Sequence, residues 1–152
     1  MLSIKNKKIQ EYKNIGNVYC PYFKENITFN SKGINHIFFK KYKKARSLND
    51  QYTRLKFINF APIIINKSHT LQEFRYEDKI ERVKKNQIWT KEKVSIKYFG
   101  FIAIIKNIKL KIIIKKVNNG RLFFWSLIPF WKTKSKEGKI KKVFYDGNLE
   151  IQ

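Results

Sequence analysis

The sequence predicts an α+β domain: two or three N-terminal helices packed on a small antiparallel β-sheet. Three observations carry this. Ile34, Ile37, Phe38 and Tyr42 recur at helical spacing in the first third of the chain. From Val94 onward the chain turns to long runs of Ile, Val and aromatic residues, broken by turn-forming pairs. Helices come first and strands follow, without the alternation that a parallel sheet needs.

Residues 1–24 read as a basic lead-in, frayed or a short helix, and residues 25–152 as one domain. "ENITFN" (25–30) alternates Ile27 with Phe29 and reads as a short strand. Asn30 or Ser31 can cap a helix through "KGINHIFFKKYKKA", softened at its start by Gly33. A second helix starts near Asn49 and Asp50 and carries Tyr52, Leu55, Ile58 and Ala61. Pro62 ends it, kinks it, or opens a short third helical turn through Ile65. Residues 66–93 read as polar and irregular, with "LQEFRY" a possible strand and "EDKIERVKK" a possible exposed helix. Then 94–106, 108–117 and 121–129 form an antiparallel meander, turned at Lys106-Asn107 and at 118–120. Its apolar runs imply a middle strand covered on both faces. A Lys-rich linker (132–142) and a turn at Asp146-Gly147 close the chain.

Charge sets the partner class. The 152 residues carry 34 Lys+Arg against 11 Asp+Glu, a formal charge of +23. A/T-rich coding explains abundant Lys, Ile and Asn, but not the scarcity of Glu. A polyanion follows as the expected partner, with nucleic acid first. One cysteine and two histidines exclude an internal disulfide and a Cys/His zinc site. Gly-rich phosphate loops, HExxH, CxxC and paired carboxylates are missing, so no cofactor or metal is expected. No signal peptide or membrane span is read, and a cytoplasmic protein is expected.

Few residues remain for chemistry. His36, at the edge of the helical stripe, either packs or serves as a general acid or base. His69 reads as an ordinary loop residue. Among so many lysines, Arg46 and Arg54 stand out as forks able to hold a phosphate bidentately. Helix-end compensation for Arg46 and a solvated face for Arg54 explain them equally well. Alternation places Lys115 with Lys111, Ile113 and Val117, and Ser126 with Leu122, Phe124 and Ile128. Tyr98, Phe124 and Trp125 either fill the core or stack bases.

The segments "ITFNSKGINHIFFK" (27–40), an Arg-containing helix ending in "FAPIII" (60–65) and "YFGFIAIIKNIKLKIIIKKVNNGRLFFWSLIPFW" (98–131) together resemble the phage-associated Barnase–EndoU–colicin–RelE-like nuclease domains. The resemblance spans about residues 25–150 and includes the closing "GNLE". It implies two helices on an antiparallel sheet and metal-independent RNA cleavage by a toxin of a phage, polymorphic or toxin–antitoxin system. It also implies an acidic antitoxin or immunity protein. Matched residue by residue, the family's histidine falls on His36 and its strand cation on Lys115 or Lys116. Its late hydroxyl falls on Ser126, and its helical arginine on Arg46 or Arg54, with Arg46 preferred. Ser126 is then expected at the site rim and Pro129 at the end of strand pairing. The RNA-binding set expected around them is Arg54, Lys40, Lys97, Tyr98, Lys116 and Trp125. A non-catalytic nucleic-acid-binding domain and a phage structural protein are the competing readings.

Overall fold

The computed structural model describes residues 3–40, 43–130, 132–134 and 140–142. The elements are α1 (Ile4–Lys13), β1 (Asn17–Cys20), β2 (Glu25–Thr28), α2 (Ser31–Phe38), α3 (Leu48–Lys56), α4 (Phe60–Lys67), β3 (Glu73–Lys85), β4 (Ile88–Ile105), β5 (Ile108–Val117) and β6 (Phe123–Phe130). A separate strand pair, β7 (Lys132–Lys134) with β8 (Ile140–Lys142), lies where a linker is expected. The expected turn at Asp146-Gly147 and the closing "GNLE" lie outside the described residues.

The architecture is α+β, but the sheet is larger than expected and mixed. Its order is β1-β2-β6-β5-β4-β3. β3 to β6 form the antiparallel meander, turned at Asn86-Gln87 and Lys106-Asn107 with both residues of each pair at positive φ. β2 joins β6 in parallel through one residue pair, Thr28 with Phe123. The lead-in belongs to this body: Tyr12 of α1 is in the core, and β1 pairs with β2.

Two apolar clusters lie on opposite faces of the sheet. Phe101, Leu110, Ile112, Ile114, Phe124 and Leu127 meet Ile34, Ile37, Leu55, Ile58 and Ile65 from the helices. Val94, Ile96, Tyr98, Ile113, Ile128 and Phe130 form the smaller cluster on the other face. β5 is thus buried on both sides. A bulge between Ile113 and Ile114 resets the alternation of β6. Ile113 opposes Ser126 while Ile114 opposes Phe124, so Ser126 shares a face with Ile128 but not, as simple alternation predicts, with Phe124. Pro129 sits inside the strand opposite Leu110 instead of ending it. Beyond Phe123 the other flank of β6 has no strand partner among the described residues, so one side needs no backbone donor.

Other boundaries also differ from expectation. α2 stops at Phe38, well short of Ala45. In a longer helix the Lys40 amide would donate to the His36 carbonyl. Here Arg46 Nε takes that carbonyl at 2.9 Å, the Arg46 amide takes that of Phe38, and Lys40 turns back to Lys44. The second helix divides into α3, capped by Ser47, and α4, with Pro62 in its first turn. "EDKIERVKK" is strand and not helix, because residues 73–85 pair continuously with 88–100 across the Asn86-Gln87 turn. No described helix is long and apolar enough to cross a membrane.

Gly33 explains itself at the α2–β6 contact. A Cβ there would lie 2.5 Å from the Tyr12 hydroxyl and 2.6 Å from the Phe124 carbonyl oxygen. Gly33→Ala therefore overpacks the joint and costs about 1–3 kcal/mol, read as a lower denaturation midpoint with an unchanged m-value.

Candidate active site

The site forms where α2, the segment after it and α3 close on β6 at the end of its pairing with β2. Asp50 organises it. Its carboxylate accepts from Arg54 Nε at 2.9 Å and faces Arg46 Nη1 at 3.5 Å. Both guanidiniums are buried, at 3% exposure for Arg46 and 4% for Arg54. Burial and the neighbouring Arg54 charge push Arg46 down to about 10, and burial lowers Arg54 too; both stay protonated at neutral pH. Gln51 ties the loop down by donating to the Arg46 carbonyl at 2.8 Å.

Each arginine reaches one further group. Arg46 Nη2 lies 3.2 Å from His36 Nε2. Arginine can only donate, so Nε2 accepts and the imidazole proton resides on Nδ1. Arg54 Nη1 donates to Ser126 Oγ at 2.9 Å and to the Leu127 carbonyl at 3.2 Å, satisfying the strand flank that β2 leaves open. Arg46 thus caps the C-terminal end of α2, in line with the helix-end reading, and also holds the histidine.

His36 then stacks on Trp125, with centroids 4.1 Å apart and planes 20° from parallel. Lys115 Nζ lies 3.8 Å from the same Trp125 centroid and 5.5 Å from that of Tyr98. Trp125 thus touches both the imidazole and the Lys115 ammonium. Trp125 Nε1 is buried with no hydrogen-bond partner among the described residues. Burial first, then the charges of Arg46, Arg54 and Lys115, hold the His36 pKa down at about 2.

A cleft of about 620 Å³ opens over this array on the sheet face away from the main core. His36, Trp125 and Lys115 line it, with Lys32, Lys40 and Lys43 around them; among the described residues Glu81 is the one acid in the lining. Among the described residues no three His, Cys, Asp or Glu side chains gather to hold a metal ion.

The structure thus brings together His36, Arg46, Arg54, Lys115, Trp125 and Ser126, with Lys40 at the cleft wall. Several placements differ from the expected ones. Ser126 is fully buried and not at the rim, because the bulge turns it toward Arg54. Arg54 is an internal strut, not a surface contact. Tyr98 is fully buried with its hydroxyl donating to Glu77 at 3.3 Å, so it is no open platform for a base, whereas Trp125 is half-buried and lines the cleft. Lys97 and Lys116 pair with each other across β4 and β5, on the face opposite Lys115, and do not reach the cleft. Asp50 escapes a search for catalytic types. Its signal is spacing: Arg46, Asp50 and Arg54 are four residues apart, a pattern of i,i+4 ion pairs.

Comparison of the chain with known protein families, with curated proteins and with solved structures finds no match in any of the three.

Two stability effects follow. Asp50→Asn leaves two buried guanidiniums without their counter-charge. It costs about 2–3 kcal/mol in chemical denaturation, less than a fully enclosed pair because Asp50 is itself a third exposed. His36 gives acid sensitivity. Its folded pKa lies below the unfolded value, so as the pH falls the unfolded chain takes up the proton first; the stability is complete above about pH 6.5 and drains toward pH 2. Between about pH 6.5 and 5 the wild type loses roughly 1.5 kcal/mol, and His36→Gln flattens that part of the stability curve.

Proposed function

We propose that this chain is a metal-independent endoribonuclease of the toxin type, built as a Barnase–EndoU–colicin–RelE-like domain. One observation carries the reading: a histidine, two arginines, a lysine and a serine from separate elements gather beneath one basic cleft. The helix-then-meander order, with one cleft lined by α2 and by β4, β5 and β6, supports it. RNA is the substrate, an acidic antitoxin or immunity protein the natural inhibitor, and the cytoplasm the place of action.

In this mechanism a substrate phosphate enters beside Lys115 and draws Arg46 off His36 Nε2. That exchange frees the lone pair. The phosphate charge also offsets the nearby cations that help depress the imidazole pKa. His36 Nε2 then takes the proton of the ribose 2′-hydroxyl, whose oxygen attacks the adjacent phosphorus. Lys115 and Arg46 stabilise the pentacoordinate phosphorane, with Arg46 held in place by Asp50. The P–O5′ bond breaks, the 5′-oxygen is protonated from solvent, and a 2′,3′-cyclic phosphate remains. Ser126 acts through Arg54, which it helps to fix. Lys32, Lys40 and Lys43 hold flanking phosphates.

A second reading has its own observation. In the free chain the one imidazole lone pair is already spent on Arg46. An RNA-binding domain in which His36 merely positions Arg46 uses the same contacts without chemistry. His36→Gln separates the two, because glutamine can accept from Arg46 but cannot carry the proton. The nuclease reading expects wild-type cleavage of RNA in EDTA with 2′,3′-cyclic ends, and a fall of about 10²–10⁴-fold in His36→Gln. Intact RNA with the wild type, together with salt-dependent binding, establishes the binding reading instead.

A further inference from the structure

The outer half of the β3–β4 hairpin adds only Val94 to the apolar clusters. β5 stops pairing with β4 at Ile96, opposite Val117. From Asp78 with Ser95 to Lys85 with Ile88, the hairpin continues as a ribbon without a third strand, roughly 24 Å long at ~3.4 Å per residue. Two strands alone are only marginally stable in water. This pair is held by surface contacts: Lys85 with Glu92 at 2.9 Å, Lys93 with Asp78 at 3.5 Å, and Ser95 Oγ donating to Asp78 at 3.1 Å. Toward its tip large apolar side chains stand in water, with Ile80 75%, Ile88 64% and Trp89 55% exposed.

The ribbon's two faces differ. Cross-strand partners share a face, so Lys84 with Trp89, Arg82 with Lys91 and Ile80 with Lys93 all lie on one side. There the Arg82 guanidinium and the Lys84 ammonium sit 5.3 and 5.8 Å from the Trp89 ring. Arg82, Lys84 and Lys91 have no carboxylate partner among the described residues, and all three are exposed. The opposite side carries Glu81 and Glu92 and, through Glu81, borders the cleft.

We infer that this ribbon is an RNA-docking arm, binding the phosphate backbone of a structured RNA outside the cleft through Arg82, Lys84 and Lys91. Trp89 is the stiff spine that keeps the first two in place. The inference rests on RNA being the ligand of the proposed site, but not on cleavage. Charge complementarity selects the occupant: three uncompensated cations beside an aromatic ring suit a polyanion, and exposed Ile80 and Trp89 add apolar contact. The arm lets the protein choose an RNA by its folded surface, while the cleft handles the phosphodiester to be cut.

The test uses the full chain, a 2′-O-methyl RNA stem-loop that cannot be cleaved, and a 2′-O-methyl trinucleotide that fills the cleft alone. The variant Arg82→Gln/Lys84→Gln/Lys91→Gln changes only exposed side chains, and an unchanged melting curve checks its fold. Each lost phosphate contact removes about 0.7–0.9 from the slope of log K against log salt, so the stem-loop slope falls by about 2 and affinity about tenfold. Trinucleotide binding stays as in the wild type. Trp89 emission, taken as the difference from Trp89→Phe, changes on adding stem-loop but not trinucleotide. An unchanged stem-loop slope in the triple variant overturns the arm. Loss of polyglutamate binding with the RNA slope intact also overturns it, and assigns the face to an acidic protein. The expected slope loss in the triple variant, together with no cleavage of the same stem-loop made as unmodified RNA by the wild type, keeps the arm and removes the nuclease.

Discussion

The site hangs on one carboxylate. Asp50 stands between two arginines that burial would otherwise expel, and every other polar contact starts from them. Through Arg46 it fixes the histidine and the end of α2; through Arg54 it fixes Ser126 and the open flank of β6. Removing two guanidiniums from water is expensive, and one partly exposed carboxylate does not fully offset it. The remaining balance comes from the oxygens they donate to: the His36 and Leu127 carbonyls and the serine hydroxyl. The same ion-pair network therefore serves both fold and site.

Electrostatics around Trp125 follow from this arrangement. An unprotonated imidazole can stack against the indole that Lys115 also contacts; an imidazolium would add a third cation beside Arg46 and Lys115. The free protein thus keeps a neutral ring surrounded by positive charge. An arriving anion changes that balance more than any other ligand. The orphaned Trp125 N–H adds to the same imbalance, since an unmet buried donor costs about 1–3 kcal/mol.

Much of the fold is legible in the residues because its signals are local. The Lys106-Asn107 turn, the Ile-rich runs and the Asn30 cap act within a few positions of themselves. The misreadings occur where distant groups decide. The end of α2 depends on a side chain ten positions on, which takes a carbonyl that the helix would use. The facing of Ser126 depends on a bulge that no turn residue announces. The ribbon strand reads as helix because its charges fit either period, and Asn86-Gln87 lacks the glycine of the commonest hairpin signal. His36 and Arg46 stand out because histidines and arginines are few, whereas Lys115 and Ser126 are singled out only through strand position and the family resemblance; the contacts among the four are not legible.

The seam between β2 and β6 bears on how the protein comes into being. One residue pair joins strands from opposite ends of the chain, and the Arg54–Ser126 contact spans 72 residues of sequence. The meander from β3 to β6 can assemble from neighbours alone, whereas the cleft waits for the amino-terminal third to close over the finished last strand. A partly made chain therefore carries His36, Arg46, Asp50 and Arg54 well before the strand that Arg54 ties down. The site is complete only after β6 has been made and the segments before it have closed over it.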